Sequence, residues 1–229
     1  MATQLVKLEV APDLVDQVYQ TLLDAISDGT LGPGERLMQE DIADQLRVSR
    51  QPVLQALRLL KKDGFVLDAP GRGVVVAPLD AESIHHVYQV RTALDSLAAR
   101  LAAMRHSKID PALLDIGRKA SRGKNVKAMI DADIAFHNAI YHASGNPSIE
   151  QTAHQQWRHL RRVMGAVLQL SKRRDGIWDE HEAIAAAIAA GDGNRAARLI
   201  EQHGQRASDN LAEQIVEILE PQKTQGDRQ

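Results

Sequence analysis

Five polar side chains fall where helical spacing calls for apolar ones, and four of them carry the chemistry of a metal site. Over residues 126–143 the apolar stripe reads Val126, Met129, Ile130, Asp133, Phe136, His137, Ile140. A carboxylate and an imidazole therefore sit one turn apart on the inward face. A second stripe carries Ile177, His181, Ile184 and Ile188, and a third Ala196, Leu199, Ile200, His203, Ala207 and Leu211. His181 and His203 each lie eleven residues from Asp192, within a Gly-Asp-Gly turn, so two antiparallel helices bring them level. One carboxylate and three neutral imidazoles suit a divalent ion: zinc foremost, with nickel, manganese or iron as alternatives. A buried, hydrogen-bonded Asp133–His137 pair is the plainer use of such residues. His154 is a rival ligand, but it lies at the edge of the Ala153, Trp157, Leu160, Met164 stripe.

The fifth group is Arg91, on a face with Ile84, Val87, Tyr88, Leu94, Ala98 and Leu101. An inward guanidinium needs an anion. Asp95, one turn on, supplies one. The alternative is a ligand carboxylate held between Arg91 and the metal, which makes Arg91 an effector-binding fork.

These stripes need helices to present them. From residue 81 to Pro221 the pattern gives six, at about 81–105, 110–122, 125–143, 147–171, 178–190 and 194–219, with Asn146-Pro147 and Gly191-Asp192-Gly193 as sharp separators. Asp80 or Ser83 can cap the first. Short connections make neighbours antiparallel, hence a bundle. Residues 1–10 and the polar tail after Pro221 read as loose ends.

Upstream, the pattern changes. Asp13 to Asp28 form a helix with Leu14, Val15, Val18, Leu22 and Ile26 inward, closed by the Gly-Pro-Gly breakers of residues 29–34. Two short helices follow, Glu40 to Leu46 and Arg50 to about Lys62, joined by Arg47-Val48-Ser49, with Ser49 as N-cap and Pro52 in the first turn. Val66-Leu67-Asp68 and Val74-Val75-Val76 flank a Pro/Gly turn and make a hairpin. This is a winged helix-turn-helix. The fold class is thus mainly α: a DNA-binding domain over residues 1–79 with a small β-hairpin wing, and an all-helical domain over 80–229. Residues 47–72 carry six cations against Asp63 and Asp68, and Arg50, Gln51 and Gln55 can present forks to base edges.

Composition bounds the rest. A net charge of −2 opposes nonspecific coating of nucleic acid, and residues 1–79 hold eight Lys/Arg against eleven Asp/Glu. The positive field is confined to the second helix and wing, so DNA binding is local. The scarcity of aromatics, 3%, disfavours single-strand stacking. No cysteine means no disulfide or thiolate site, and no apolar run is long enough to span a membrane. A cytoplasmic protein without a membrane partner is expected.

Residues 12–79, with LGPGERLMQEDIADQL, VSRQPVLQALRLLKKDGF and GRGVVV, resemble the N-terminal domain of the GntR family of bacterial transcription regulators. The resemblance implies phosphate or base contacts from Arg36, Ser49, Arg50, Gly71 and Arg72. Leu54-Gln55 stands where that family usually has Arg-Glu, which implies a different or weaker operator. Residues 81–218 resemble the FCD domain of its FadR subfamily, through Arg91 with Asp95, Asp133-Ile134-Ala135-Phe136-His137, Ser144-Gly145-Asn146-Pro147, Glu180 to Ile184 and His203. This implies a metal on Asp133, His137, His181 and His203 and a small organic acid as effector, not a long acyl-CoA. The expectation is a dimeric, ligand-responsive regulator of a palindromic operator, not an enzyme. A pure metal sensor, a structural metal, or a metalloenzyme using the Asp/His set are the other uses of the same residues.

Overall fold

The computed structural model describes residues 14–168 and 176–223, with side chains on the last helix as far as residue 218. The chain divides between Pro78 and Leu79 into two compact units.

In the first unit α1 (Leu14–Ser27) is followed by β1 (Arg36–Leu37), α2 (Gln39–Leu46), α3 (Arg50–Lys62), β2 (Val66–Asp68) and β3 (Val74–Val76). Val18, Leu22 and Ile26 bury at four-residue spacing, but Leu14 is 42% exposed, because the stripe runs off the core at the first turn. Arg47 ends α2 in the left-handed region, φ 53°, and the Val48 N–H returns to the Ala43 carbonyl at 3.0 Å, which makes the turn tight. Ser49 holds the extended N-cap backbone of α3, yet its hydroxyl makes no capping bond. Val53, Ala56 and Leu60 are wholly buried and fix which face of α3 remains outside. Tyr19 donates to Asp63 Oδ2 at 2.6 Å, tying α1 to the end of α3.

β3 is the central strand of an antiparallel sheet ordered β1-β3-β2. Sequence reasoning finds the hairpin and misses β1, whose two residues are too few to show an alternation. Gly73 is required where it stands: φ is 82° and a Cβ would lie 2.6 Å from the Leu37 carbonyl oxygen.

The second unit runs α4 (Ala81–Met104), α5 (Pro111–Ser121), α6 (Val126–Ser144), α7 (Pro147–Leu168), α8 (Ile177–Ala189) and α9 (Gly193–Lys223). Asp80, Asp110 and Asn125 accept backbone N–H groups at the starts of α4, α5 and α6. α4 is the central helix, packed on α6, α7, α8 and most extensively α9. α9 continues past the expected end near 219 and through Pro221. Proline loses its own donor but keeps a carbonyl that can accept. The expected arm of residues 1–10, helix residues 169–171 and the tail beyond 223 lie outside the described residues.

α5 meets α8 at Gly117, where a Cβ would stand 2.0 Å from the Trp178 ring. We expect Gly117→Ala to lower stability by about 1–3 kcal/mol through overpacking, more than alanine's helix preference returns. Urea unfolding reads this directly, and an unchanged midpoint would mean that α5 withdraws freely from Trp178.

Candidate metal centre and nucleic-acid interface

Asp133 and His137 come from α6, His181 from α8 and His203 from α9, and all four side chains are buried. One ligand atom from each lies within 4.8 Å of the others. His181 Nε2 is 3.4 Å from both Asp133 Oδ1 and His203 Nε2. An ion with bonds of about 2.0–2.1 Å in tetrahedral geometry has ligand–ligand edges of about 3.3 Å, which the two 3.4 Å separations match. Asp133 Oδ1 and His137 Nε2 have no hydrogen-bond partner although buried. Leaving such atoms unmatched costs roughly 1–3 kcal/mol each, a cost that a cation between them removes.

The imidazoles are oriented from behind. His203 Nδ1 lies 2.9 Å from Glu180 Oε2, and Glu180 Oε1 accepts from Arg206 Nη1 at 2.5 Å. A proton on Nδ1 leaves Nε2 as the ligand atom. His137 Nδ1 faces Asp95 Oδ2 at 3.4 Å. Phe136 stacks on the His181 ring, centroids 4.3 Å apart. Burial first, then Arg91, push His137 down, against the pull of Asp95. Burial first, with the Arg91 guanidinium nearby, pushes His181 well below the ordinary histidine value. Both are thereby held as neutral rings, the form that binds metal.

Arg91 is 2% exposed. Its Nε is 3.2 Å from Asp95 Oδ2, near enough for an ion pair though not aligned for a hydrogen bond, and its guanidinium lies 3.8 Å from the centre of the Trp157 ring. Burial pushes Asp95 up, but Arg91 and then His137 outweigh it and hold the carboxyl at about 2. Tyr141 donates to the other Asp95 oxygen and accepts from Trp157 Nε1 at 3.2 Å. Asp95 thus serves Arg91 and His137 together. Sequence reasoning finds its first role and misses the second, since only the fold brings α6 against that turn of α4. Glu180 is missed as an orienting group for the same reason: it follows the α8 register but faces a histidine of α9. His154, the rival ligand, is a half-exposed neighbour of Glu150 and stands outside the group.

A cavity of about 190 Å³ opens beside Asp133 and His203. Its walls are Met129, Met164, Leu168, Ile177, Trp178 and Ala207, with Ser121, Glu180, Arg206 and Asn210 supplying the polar atoms. Arg91 does not line it. Its guanidinium is paired with Asp95, and its Nη2 is buried without a hydrogen-bond partner.

In the first unit Gln51, Gln55, Arg58 and Arg72 are exposed, as is Ser49. Arg50 is exposed too and paired with Glu40 at 2.8 Å. Arg36, exposed as well, is tied to the wing. It donates to the Pro70 carbonyl at 3.0 Å and to that of Arg72, bracing the wing turn that holds Gly71. A groove lined by Leu54, Arg58, Lys61, Arg72 and Gly73 runs between α3 and the wing.

Residues 14–76 match the family model described as bacterial regulatory proteins, gntR family, and residues 86–206 match the FCD domain. The chain is 36% identical over 85 residues to the HTH-type transcriptional regulator YdhC of Bacillus subtilis, a match covering 37% of this chain and 38% of YdhC. It is 28% identical over 215 residues to the HTH-type transcriptional regulator LutR of the same organism, covering 82% and 96%. The crystal structure of a GntR protein from Rhodococcus sp. RHA1 superposes with a TM-score of 0.72 at 27% identity, over 86% of this chain and 96% of that one. Among the described residues no helix is long and apolar enough to cross a membrane.

Proposed function

Because the chain belongs to the GntR family of bacterial DNA-binding transcription regulators, in the group that carries an FCD domain, we propose that it is a dimeric repressor of a palindromic operator, modulated by a small carboxylic acid bound at a divalent metal. The single observation that carries the metal half is the convergence of Asp133, His137, His181 and His203, buried and with orphaned ligand atoms. Zinc suits that donor set best. The ion, when bound, supplies a Lewis-acidic anchor for a carboxylate. Asp95 and Glu180 hold His137 and His203 in register for it, and the cavity next to Asp133 and His203 receives the body of the acid.

The DNA half rests on the exposed face of α3. Arg50, Gln51 and Gln55 offer forks to bases, Ser49 and Arg72 offer phosphate contacts, and the Gly71 turn lets the wing approach a backbone closely. Arg36 supports that turn from beneath. With Leu54 apolar on the same helix, specificity falls on these few residues. The mechanism is a population shift, in which acid and metal favour one placement of the DNA-reading units over another.

A duplex recovered from random sequence by selection with the full chain tests this. In fluorescence anisotropy at fixed salt, Arg50→Ala and Arg72→Ala are each expected to weaken binding by about 1–3 kcal/mol, roughly 5- to 150-fold. Tight binding by a protein that sediments as a monomer would sink the dimer, and variants that bind like the parent would remove α3 and the wing from the interface. A pure metal sensor predicts operator affinity that follows zinc alone, with no response to any acid.

A further inference from the structure

We infer that the acid this regulator takes is a monocarboxylate with a compact apolar body of about one six-membered ring, bound in preference to a dicarboxylate or sugar acid. The inference rests on the metal-and-acid reading above. Two observations on the cavity carry it, its walls and its charge.

The walls are mainly apolar in surface, with Ser121, Asn210 and the Glu180–Arg206 pair among them besides Asp133 and His203. Met129, Met164, Leu168, Ile177, Trp178 and Ala207 form the apolar part of a half-open cavity of about 190 Å³. A dry apolar cavity of about 150 Å³ is known to hold benzene, so a ring bearing one carboxyl group matches the space. Two thioethers and an indole form favourable faces for an aromatic ring. A polyhydroxylated acid would set more hydroxyl groups against these six residues than Ser121 and Asn210 can match, and each one left unmatched costs roughly 1–3 kcal/mol.

The charge points the same way. At the inner end, the two buried carboxylates of Asp133 and Asp95 stand against the Arg91 guanidinium and a divalent ion, which leaves one positive charge. One ligand carboxylate neutralises it. Asp133, 7% exposed, turns an oxygen without a hydrogen-bond partner toward this centre and lines the cavity. At the outer end the one cation lining the cavity among the described residues, Arg206, is already bound to Glu180 at 2.5 Å, and Glu180 is committed to His203. A second ligand carboxylate there would have to displace Glu180 and release a metal-ligand histidine from its support.

Calorimetric titration of benzoate, acetate, succinate and gluconate into zinc-loaded and chelator-stripped protein tests this, with melting temperatures recorded on the same samples. The expected result is benzoate binding to the loaded protein at least tenfold more tightly than acetate, succinate or gluconate, and to the stripped protein at least tenfold more weakly. Ala207→Leu, which adds a side chain to the cavity wall, is expected to shrink the benzoate-to-acetate ratio tenfold or more. Its zinc-dependent melting shift shows that the variant is folded. Succinate or gluconate as the tightest ligand of the loaded protein overturns the inference and leaves the metal-and-acid reading standing. Benzoate binding that ignores zinc overturns that reading instead. If zinc raises the melting temperature and no acid binds, the ligand class proposed here is wrong and a pure metal sensor takes its place.

Discussion

Removing the metal from purified protein is expected to lower its melting temperature by about 8–16 °C. The magnitude follows from mass action: an ion present at a thousand times its dissociation constant stabilises the native state by about 4 kcal/mol. For a chain of 150–250 residues each kcal/mol moves the midpoint by roughly 2–4 °C. His181→Ala should melt near the stripped parent and show no further change with chelator. That residue is 0% exposed and its Nε2 lies 3.4 Å from two other ligand atoms, so no water-bridged substitute is at hand. The measurement is differential scanning fluorimetry beside elemental analysis of the as-isolated protein. A parent that holds no ion and melts identically with and without added zinc would sink the site. Loss of the helical circular dichroism signal at 25 °C on stripping would make the metal a structural requirement of the bundle.

The second large effect is at Arg91. Arg91→Met is expected to cost about 3–5 kcal/mol, because it leaves the Asp95 carboxylate, 3% exposed, without its guanidinium. Adding Asp95→Leu should restore only part of that loss, since it removes the unpaired carboxylate but also takes their partner from Tyr141 and His137. Urea denaturation of the three proteins with zinc bound reads it. If instead Arg91→Met changes stability by less than about 1 kcal/mol and abolishes acid binding, the guanidinium belongs to the ligand and not to Asp95.

Most of the candidate site was legible from spacing alone, and the reason is physical. A polar residue inside an apolar stripe is expensive to bury, so Asp133, His137, His181, His203 and Arg91 stand out against Ile130, Phe136, Ile184, Ile200 and Tyr88 before any fold is known. The turn at Gly191-Asp192 then sets the relative register of His181 and His203. What could not be read is whatever depends on two helices meeting. Asp95 looks like the i+4 partner of Arg91, and nothing local says that His137 also reaches it. Glu180 sits on the margin of the α8 stripe and finds its partners 23 and 26 residues away. Arg36 reads as a surface cation for phosphate, yet the wing turn captures it because β1 adds to the hairpin, and two residues of strand leave no pattern to see. Gly117 gives no sign that its missing side chain is filled by Trp178.

The order of the ligands along the chain also has a consequence for synthesis. Domains fold as units from the N-terminal side while the ribosome is still at work. The helix-turn-helix and wing end by Val76, but His203, the last of the four metal residues, lies on α9. Every newly made copy therefore passes through an interval in which the first unit is complete and the four candidate ligands Asp133, His137, His181 and His203 have not yet come together.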